Sequence, residues 1–456
     1  MPAALQSALT QLVRTAMSQW GYPGLSVGIW SPARGSYVRA FGVADIASGR
    51  PMSLADHVRV GSVTKPFTAT LVLQQVRRGR LGLDERLSRF SPRFPGARTI
   101  TIRELLNHSS GIYDYASDPA FGQELQAHPT RRWTPAELIA IAARQPLYFT
   151  PGTGYHYSDT NYVLLGQILR RVTHRTVGAL LRSDILRPLG LRRTAYLPAA
   201  PLPRPLAHGY LIPPGGPPTD TTGWSYSWTQ AAGGLSSTLG DLRRWAPVLG
   251  TGALLSPALR RQQRRFIPTG TPGLSYGLGL ASAGTMVGHN GLVPGYDSVE
   301  LYSPSLRATV VMVANTSPQN NGAPPGEDTL QLAVEAMSLV YPQTNAALAG
   351  SAAVLRGRVA PVALSCQTTG VLPCRGTVTL TQGAATLGAA RFRVGPGARR
   401  NVGIRLPRST VDAIRSAGAL QVQATVRTTQ PLGLGGTPPT PQPFTLETAR
   451  YAAATP

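Results

Sequence analysis

Lys65 is the only lysine among the 44 Lys and Arg residues of this 456-residue chain. Everywhere else positive charge is supplied by arginine. The two side chains are not equivalent. A guanidinium keeps its proton in a protein, whereas a buried ammonium group can be tuned to release one and act as a base. Ser62 lies three residues earlier, in Gly61-Ser62-Val63-Thr64-Lys65, among small and apolar neighbours. Positions i and i+3 share a helix face, so this spacing sets an amine beside a hydroxyl. That is the arrangement of a nucleophile and its proton acceptor. A helix start also presents unpaired N–H groups, and the N–H of Ser62 could donate to a developing oxyanion. The competing account, one lysine left on a solvated surface, fits the uncharged surroundings poorly.

Two further segments carry chemistry. In Tyr155-His156-Tyr157-Ser158-Asp159-Thr160-Asn161-Tyr162, Tyr157 follows a Pro/Gly loop and precedes a helix. A tyrosine at such a junction can shuttle protons if a nearby cation lowers its pKa. The alternative is a packed aromatic, with Asp159 as a helix-capping acid. In Val287-Gly288-His289-Asn290-Gly291-Leu292 the plain account is an Asn-Gly hairpin turn. The functional account puts His289 on an edge strand facing a pocket, with the Leu292 N–H as a second oxyanion donor.

These residues need a scaffold. Leu5, Leu9, Leu12, Val13 and Met17 fall at helical spacing, so the chain opens on an amphipathic helix. Segments 24–30 and 37–43 read as a hairpin, and a helix runs from Ser62 to about Arg78, with Pro66 tolerated in its first turn. A short Thr-capped helix spans 101–108. Segment 134–188 is helical, interrupted by Pro151-Gly152-Thr153-Gly154. Segments 284–289, 296–303 and 308–315 alternate as an antiparallel meander, and Leu330 to Tyr341 closes the first unit as a helix. Pattern is lost over 342–349, which reads as a linker. Residues 350–456 read as a small all-β sandwich whose Pro/Gly-rich tail, 433–443, is irregular. Cys366 and Cys374 flank a Gly/Pro turn and suit a local disulfide in an oxidising compartment, two free buried thiols being the alternative.

Together the segments resemble the penicillin-recognising serine hydrolases: DD-carboxypeptidases, class C β-lactamases and related esterases. The likeness extends to Leu105-Leu106-Asn107-His108-Ser109-Ser110-Gly111-Ile112-Tyr113-Asp114-Tyr115, to Trp228-Thr229-Gln230-Ala231-Ala232-Gly233-Gly234 and to Tyr276-Gly277-Leu278-Gly279-Leu280, in the family's order, over roughly residues 5–340. It is closest to secreted D-Ala-D-Ala carboxypeptidases. The resemblance implies an α+β fold: an antiparallel sheet flanked by helices, with a helical subdomain over about 80–190, in a catalytic domain of residues 1–341. It implies Ser62 as nucleophile, Lys65 as base or relay, and Tyr157 as the second acid/base group, positioned by Lys65 and His289. Ser62 and Leu292 would form the oxyanion hole, Asn290 and Gly291 would complete the His289 motif, and Trp228 would line the pocket. Three departures stand out. Asp159 replaces the usual Asn, keeping an acceptor but losing a donor to a substrate carbonyl. The run from His289 to Leu292 lacks the hydroxyls that help hold a carboxylate, and Ala281-Ser282 stand where some relatives have an arginine.

The expected function is acyl-enzyme hydrolysis of D-Ala-D-Ala peptides by a monomer. A class C-like β-lactamase and a small-ester hydrolase are the alternatives, and a silent wall-binding protein is the non-enzyme alternative. No cofactor or metal is expected. The net charge of +24 raises a nucleic-acid reading, but the arginines are scattered and no zinc-ligand spacing or recognition helix accompanies them. Anionic cell-wall polymers are the expected basic-surface partner. No run approaches the roughly 18 apolar residues of a spanning helix. Met1 to Trp20 lacks a signal core, so the extracellular or periplasmic expectation rests on the resemblance and the cysteine pair.

Overall fold

The computed structural model describes residues 1–213, 215–318, 327–368, 372–433 and 439–449. The chain divides into two compact units, Met1–Ala336 and Met337–Pro456.

Among the described residues the first unit is built on a nine-stranded antiparallel sheet. Its order is Arg50–Pro51, Gly35–Asp45, Gly24–Ser31, Ala308–Ala314, Tyr296–Ser303, Met286–Val293, Ala281–Ala283, Leu274–Tyr276, Ile267–Pro268. The expected hairpin and meander are its centre. Tyr296–Ser303 and Ala308–Ala314 are buried along their whole length. Both faces of these strands are therefore covered, and the helix Leu239–Thr251 packs on them.

Short helices lie between residues 102 and 181, and their caps explain their starts. Thr101 and Glu104 form a capping box ahead of Ile102–Leu106. Thr134 and Glu137 do the same for Pro135–Ala143, with Pro135 in its first turn. The long helix Asp159–Thr173 buries Tyr162, Val163, Leu164, Leu165, Ile168 and Leu169 in the core shared with the sheet. This is the expected antiparallel sheet flanked by helices.

The second unit has two sheets, of three and five strands, whose inward residues share one core that includes Val362, Leu364, Val378, Leu380 and Ile404. Burial alternates along Val359–Gln367, as a one-face-buried strand requires. Three details differ from expectation. The stretch 342–349 is not plain linker: Asn345–Leu348 pairs antiparallel with Val359–Gln367 and buries Ala346. The unit is not all-β: Arg408–Ala417 is a helix that buries Val411 and Ile414, spaced three apart. The Pro/Gly-rich tail ends in a strand, Gln442–Glu447, paired with Ala419–Thr428; its residues 434–438 lie outside the described residues. Cys366 and Cys374 are joined by a disulfide, and residues 369–371 of the turn between them also lie outside. Among the described residues no helix is long and apolar enough to cross a membrane.

Candidate active site

Ser62 occupies a tight 3-10 turn, Gly61–Val63, rather than the α-helix itself, which runs Thr64–Arg77. Gly61 has φ +47°, and a methyl added there would meet the Leu292 nitrogen at 2.9 Å. On the facing strand a methyl on Gly291 would meet the Val60 oxygen at 2.0 Å. These two glycines let strand Met286–Val293 lie directly against the serine turn. The Leu292 amide is thereby brought beside the turn that holds Ser62.

Lys65 is wholly buried in a helix whose residues 64–75 are all buried. Its Nζ donates to Ser62 Oγ at 2.8 Å, to Asp159 Oδ1 at 2.5 Å and to the Ala232 carbonyl at 3.2 Å. Three protons meet three acceptors. Burial pushes the Lys65 pKa down, while the charges of Asp159 and Asp114 act against that. The amine also lies 4.6 Å from the centre of the Tyr157 ring. Tyr157 is half-buried and leads into helix Asp159–Thr173. Burial and the Asp159 charge push its pKa up, and a hydrogen bond with Ser62 works the other way.

His289 is buried nearby, with a different partner from the one expected. Its Nδ1 donates to the Asn290 carbonyl, which leaves Nε2 to accept from the Tyr276 hydroxyl at 2.8 Å. Burial and the Lys65 charge push its pKa down to about 3, so the ring is neutral. The His289 and Tyr157 ring centres are 6.3 Å apart. His289 therefore anchors Tyr276, not Tyr157. A cavity of about 190 Å³ opens here, lined by Tyr155, Tyr157, Tyr276, Ser282, His289 and Asn290 among others. Trp228 is not in that lining: it is buried, its carbonyl accepts from the Tyr115 hydroxyl at 2.6 Å, and its ring meets Phe121 edge-on. Among the described residues no group of three His, Cys, Asp or Glu side chains stands together as metal ligands.

The Beta-lactamase family matches residues 9–335, well over half of the sequence. The chain belongs to the beta-lactamase family. It is similar to penicillin-binding protein 4* of Bacillus subtilis, at 26% identity over 61% of this chain and 65% of that protein. It is also similar to a D-aminopeptidase of Cereibacter sphaeroides, at 28% identity over 64% of this chain and 57% of that protein. The chain thus spans less than two thirds of the length of these curated relatives. Among solved structures, a D-stereospecific amidohydrolase from Streptomyces sp. aligns with a TM-score of 0.64 at 30% identity, covering 73% of this chain and 97% of its own. The names of these relatives are those of a penicillin-binding protein, a D-aminopeptidase and an amidohydrolase.

Beta-lactamase-family motifs quoted from the sequence contain positioning residues to which sequence reasoning gave no role. His108 is wholly buried with φ +61°. Its Nδ1 accepts from the Ser158 N–H at 3.1 Å and from Asn161 at 3.2 Å, so its proton sits on Nε2. Burial and the Lys65 charge push its pKa well down. Neutral and fixed, it stacks under Tyr157 with ring centres 4.3 Å apart. Asp114 accepts from the Asp159 N–H at 2.9 Å and is pushed up to about 7 by burial and by the Asp159 charge. The available signal was their place in the 105–115 motif, but their targets lie some 45–50 residues away along the chain.

Glu300 gave no signal at all. It sits directly opposite His289 on the neighbouring strand, wholly buried, and neither carboxyl oxygen has a partner among the described residues. Burial pushes its pKa well above the ordinary 4.5, so it is held as a neutral acid. The native state then keeps a proton that the unfolded chain releases as pH rises past 4.5. Its contribution to stability is full below that value and is lost as pH rises through the folded pKa. Glu300→Met is expected to raise stability at neutral pH by about 1–3 kcal/mol and to remove this slope. Urea unfolding on either side of neutrality checks both; unchanged midpoints would show the carboxyl is not uncompensated.

Proposed function

We propose that this chain is a serine hydrolase that works through an acyl-enzyme on Ser62, and that its substrates are small peptides of D-amino acids, D-Ala-D-Ala first among them. The single observation that carries this is the buried Lys65 amine, bonded to Ser62 Oγ at 2.8 Å. Neutral Lys65 takes the Oγ proton as Oγ bonds to the substrate carbonyl carbon. The N–H groups of Ser62 and Leu292 stabilise the oxyanion. The proton passes by way of Tyr157 to the leaving amine, and the C–N bond breaks. Water then adds to the ester, returns a proton to Oγ and frees the acid. All these groups come from one chain, so a monomer suffices.

A β-lactamase and an ester hydrolase use the same steps and differ in how fast the acyl group leaves. Intact mass after exposure to penicillin tests the assignment. An adduct on the peptide holding Ser62 supports it, and its lifetime separates a long-lived peptidase adduct from rapid β-lactamase turnover. Failure of any acylating probe to modify Ser62 sinks it.

The disulfide supports an extracytoplasmic setting. There the partner for the basic surface is an anionic wall polymer. Arg192, Arg193, Arg243 and Arg244 line one recess of about 1160 Å³ beside Trp30. Co-sedimentation with such a polymer is expected to weaken steeply as salt rises, because exposed charges are screened. Binding indifferent to salt would count against it.

A further inference from the structure

We propose that Asp159 receives the free α-ammonium group of the substrate's acyl half, so that the site opens amides and esters of unblocked amino acids in preference to N-acylated ones. The inference rests on the acyl-enzyme reading above and narrows its substrate.

Asp159 is held from two sides. Its backbone N–H donates to Asp114 at 2.9 Å and its Oδ1 accepts from Lys65 at 2.5 Å. Its second oxygen has no partner among the described residues, and the side chain is 17% exposed, unlike the wholly buried Lys65 beside it. One carboxylate oxygen is therefore fixed, and the partly exposed side chain leaves the other able to accept a hydrogen bond. Ser62 Oγ and Asp159 Oδ1 both bond the same Lys65 nitrogen, at 2.8 and 2.5 Å. They cannot be further apart than those two bonds laid end to end. In an aminoacyl-enzyme the α-nitrogen is three covalent bonds from Oγ, at most about 3.7 Å away, which leaves it within hydrogen-bond reach of a carboxylate at that distance. A cation further out on a side chain does not fall there.

The chemistry selects among groups at that place. A carboxylate only accepts hydrogen bonds. An ammonium gives it a charge-assisted bond, whereas an N-acyl group brings a carbonyl oxygen against it. The Asp159 carboxylate is paired with Lys65 here, and once that lysine acts as the neutral base an arriving cation balances the carboxylate's charge. Among the described residues that line the cavity none is a lysine or arginine that would answer a substrate carboxylate, and His289 is neutral.

The test compares D-alanine p-nitroanilide with its N-acetyl derivative, in the wild type and in Asp159→Asn, alongside fluorophosphonate labelling of Ser62. The wild type is expected to favour the free amine in kcat/KM. In Asp159→Asn that preference falls by about 10- to 100-fold, mostly through KM for the free amine, as loss of one charge-assisted bond predicts. The ratio is internal to each protein, so a general loss of activity does not move it. Equal rates or a preference for the N-acetyl compound in the wild type, with Ser62 labelled, overturn the inference alone. An unchanged ratio in the variant does the same. Absence of labelling and of both activities overturns the acyl-enzyme reading and this inference with it. The wild-type ratio decides even where the variant does not fold.

Discussion

Ser62→Ala is expected to lose turnover of esters and peptides by about 10³- to 10⁶-fold, the range seen when a nucleophile is removed and the rest of a site is left in place. It is also expected to take no covalent mass from penicillin. The folded state should survive. Ser62 is half-exposed in a tight turn, and its Oγ is one of three acceptors for Lys65. The Asp159 and Ala232 oxygens remain for that amine. The stability cost is therefore about 1 kcal/mol, one unmade hydrogen bond. Thermal unfolding and labelling should be read on the same sample, so that lost labelling is not mistaken for lost fold. Undiminished turnover in the alanine variant would remove Ser62 from the chemistry. Wild-type protein inert to chromogenic esters at every pH would instead favour the silent wall-binding alternative.

What could be read from the sequence was the part set by local spacing. Ser62 and Lys65 meet because three residues along a helical path bring side chains to one face, and Thr101 and Thr134 start helices because their caps lie three residues from the groups they bond. The parts that could not be read depend on distant chain. Asp159 finds Lys65 from 94 residues away. His289 was expected to position Tyr157, and only the packing of the sheet brings Tyr276 to it instead. Glu300 looks like any polar residue in an alternating strand, until strands pair on both sides of its own and the helix Leu239–Thr251 packs on that strand. The strand Asn345–Leu348 escaped because three of its four residues, Asn-Ala-Ala, carry almost no strand preference, and its partner Val359–Gln367 supplies the pairing. The family motifs supplied a long-range order that spacing alone could not, yet they carry Asn at the position where this chain has Asp159.

Lys65→Arg is the sharper test of how the site works, because it keeps the charge and removes only the ability to give up a proton. An arginine here still faces Asp159 and Ser62 as a donor. If Lys65 served only to hold a positive charge near the hydroxyl, activity would survive largely intact. If it is the base, kcat falls by about 10²- to 10⁴-fold, the usual contribution of a positioned proton acceptor. The larger side chain must fit where Lys65 is wholly buried, at a cost of about 1–3 kcal/mol, so unfolding midpoints should accompany the rates. The pH profile gives the second readout. The neutral amine is the active form, so wild-type kcat should be lost as pH falls through the Lys65 pKa. Burial sets that pKa below the ordinary lysine value. In the arginine variant that limb should vanish, because nothing at position 65 titrates in the range. Retention of both the rate and the limb would move the base to Tyr157, whose hydroxyl also meets Ser62 but whose pKa burial and Asp159 push up. A tyrosine so raised is a poor base unless a cation offsets Asp159. On the present geometry that cation is Lys65 itself, already held by Asp159 at 2.5 Å. Burial nevertheless draws the lysine's pKa down while it pushes the tyrosine's up, so the lysine is the group whose proton can be spared, and the arginine variant is where that shows.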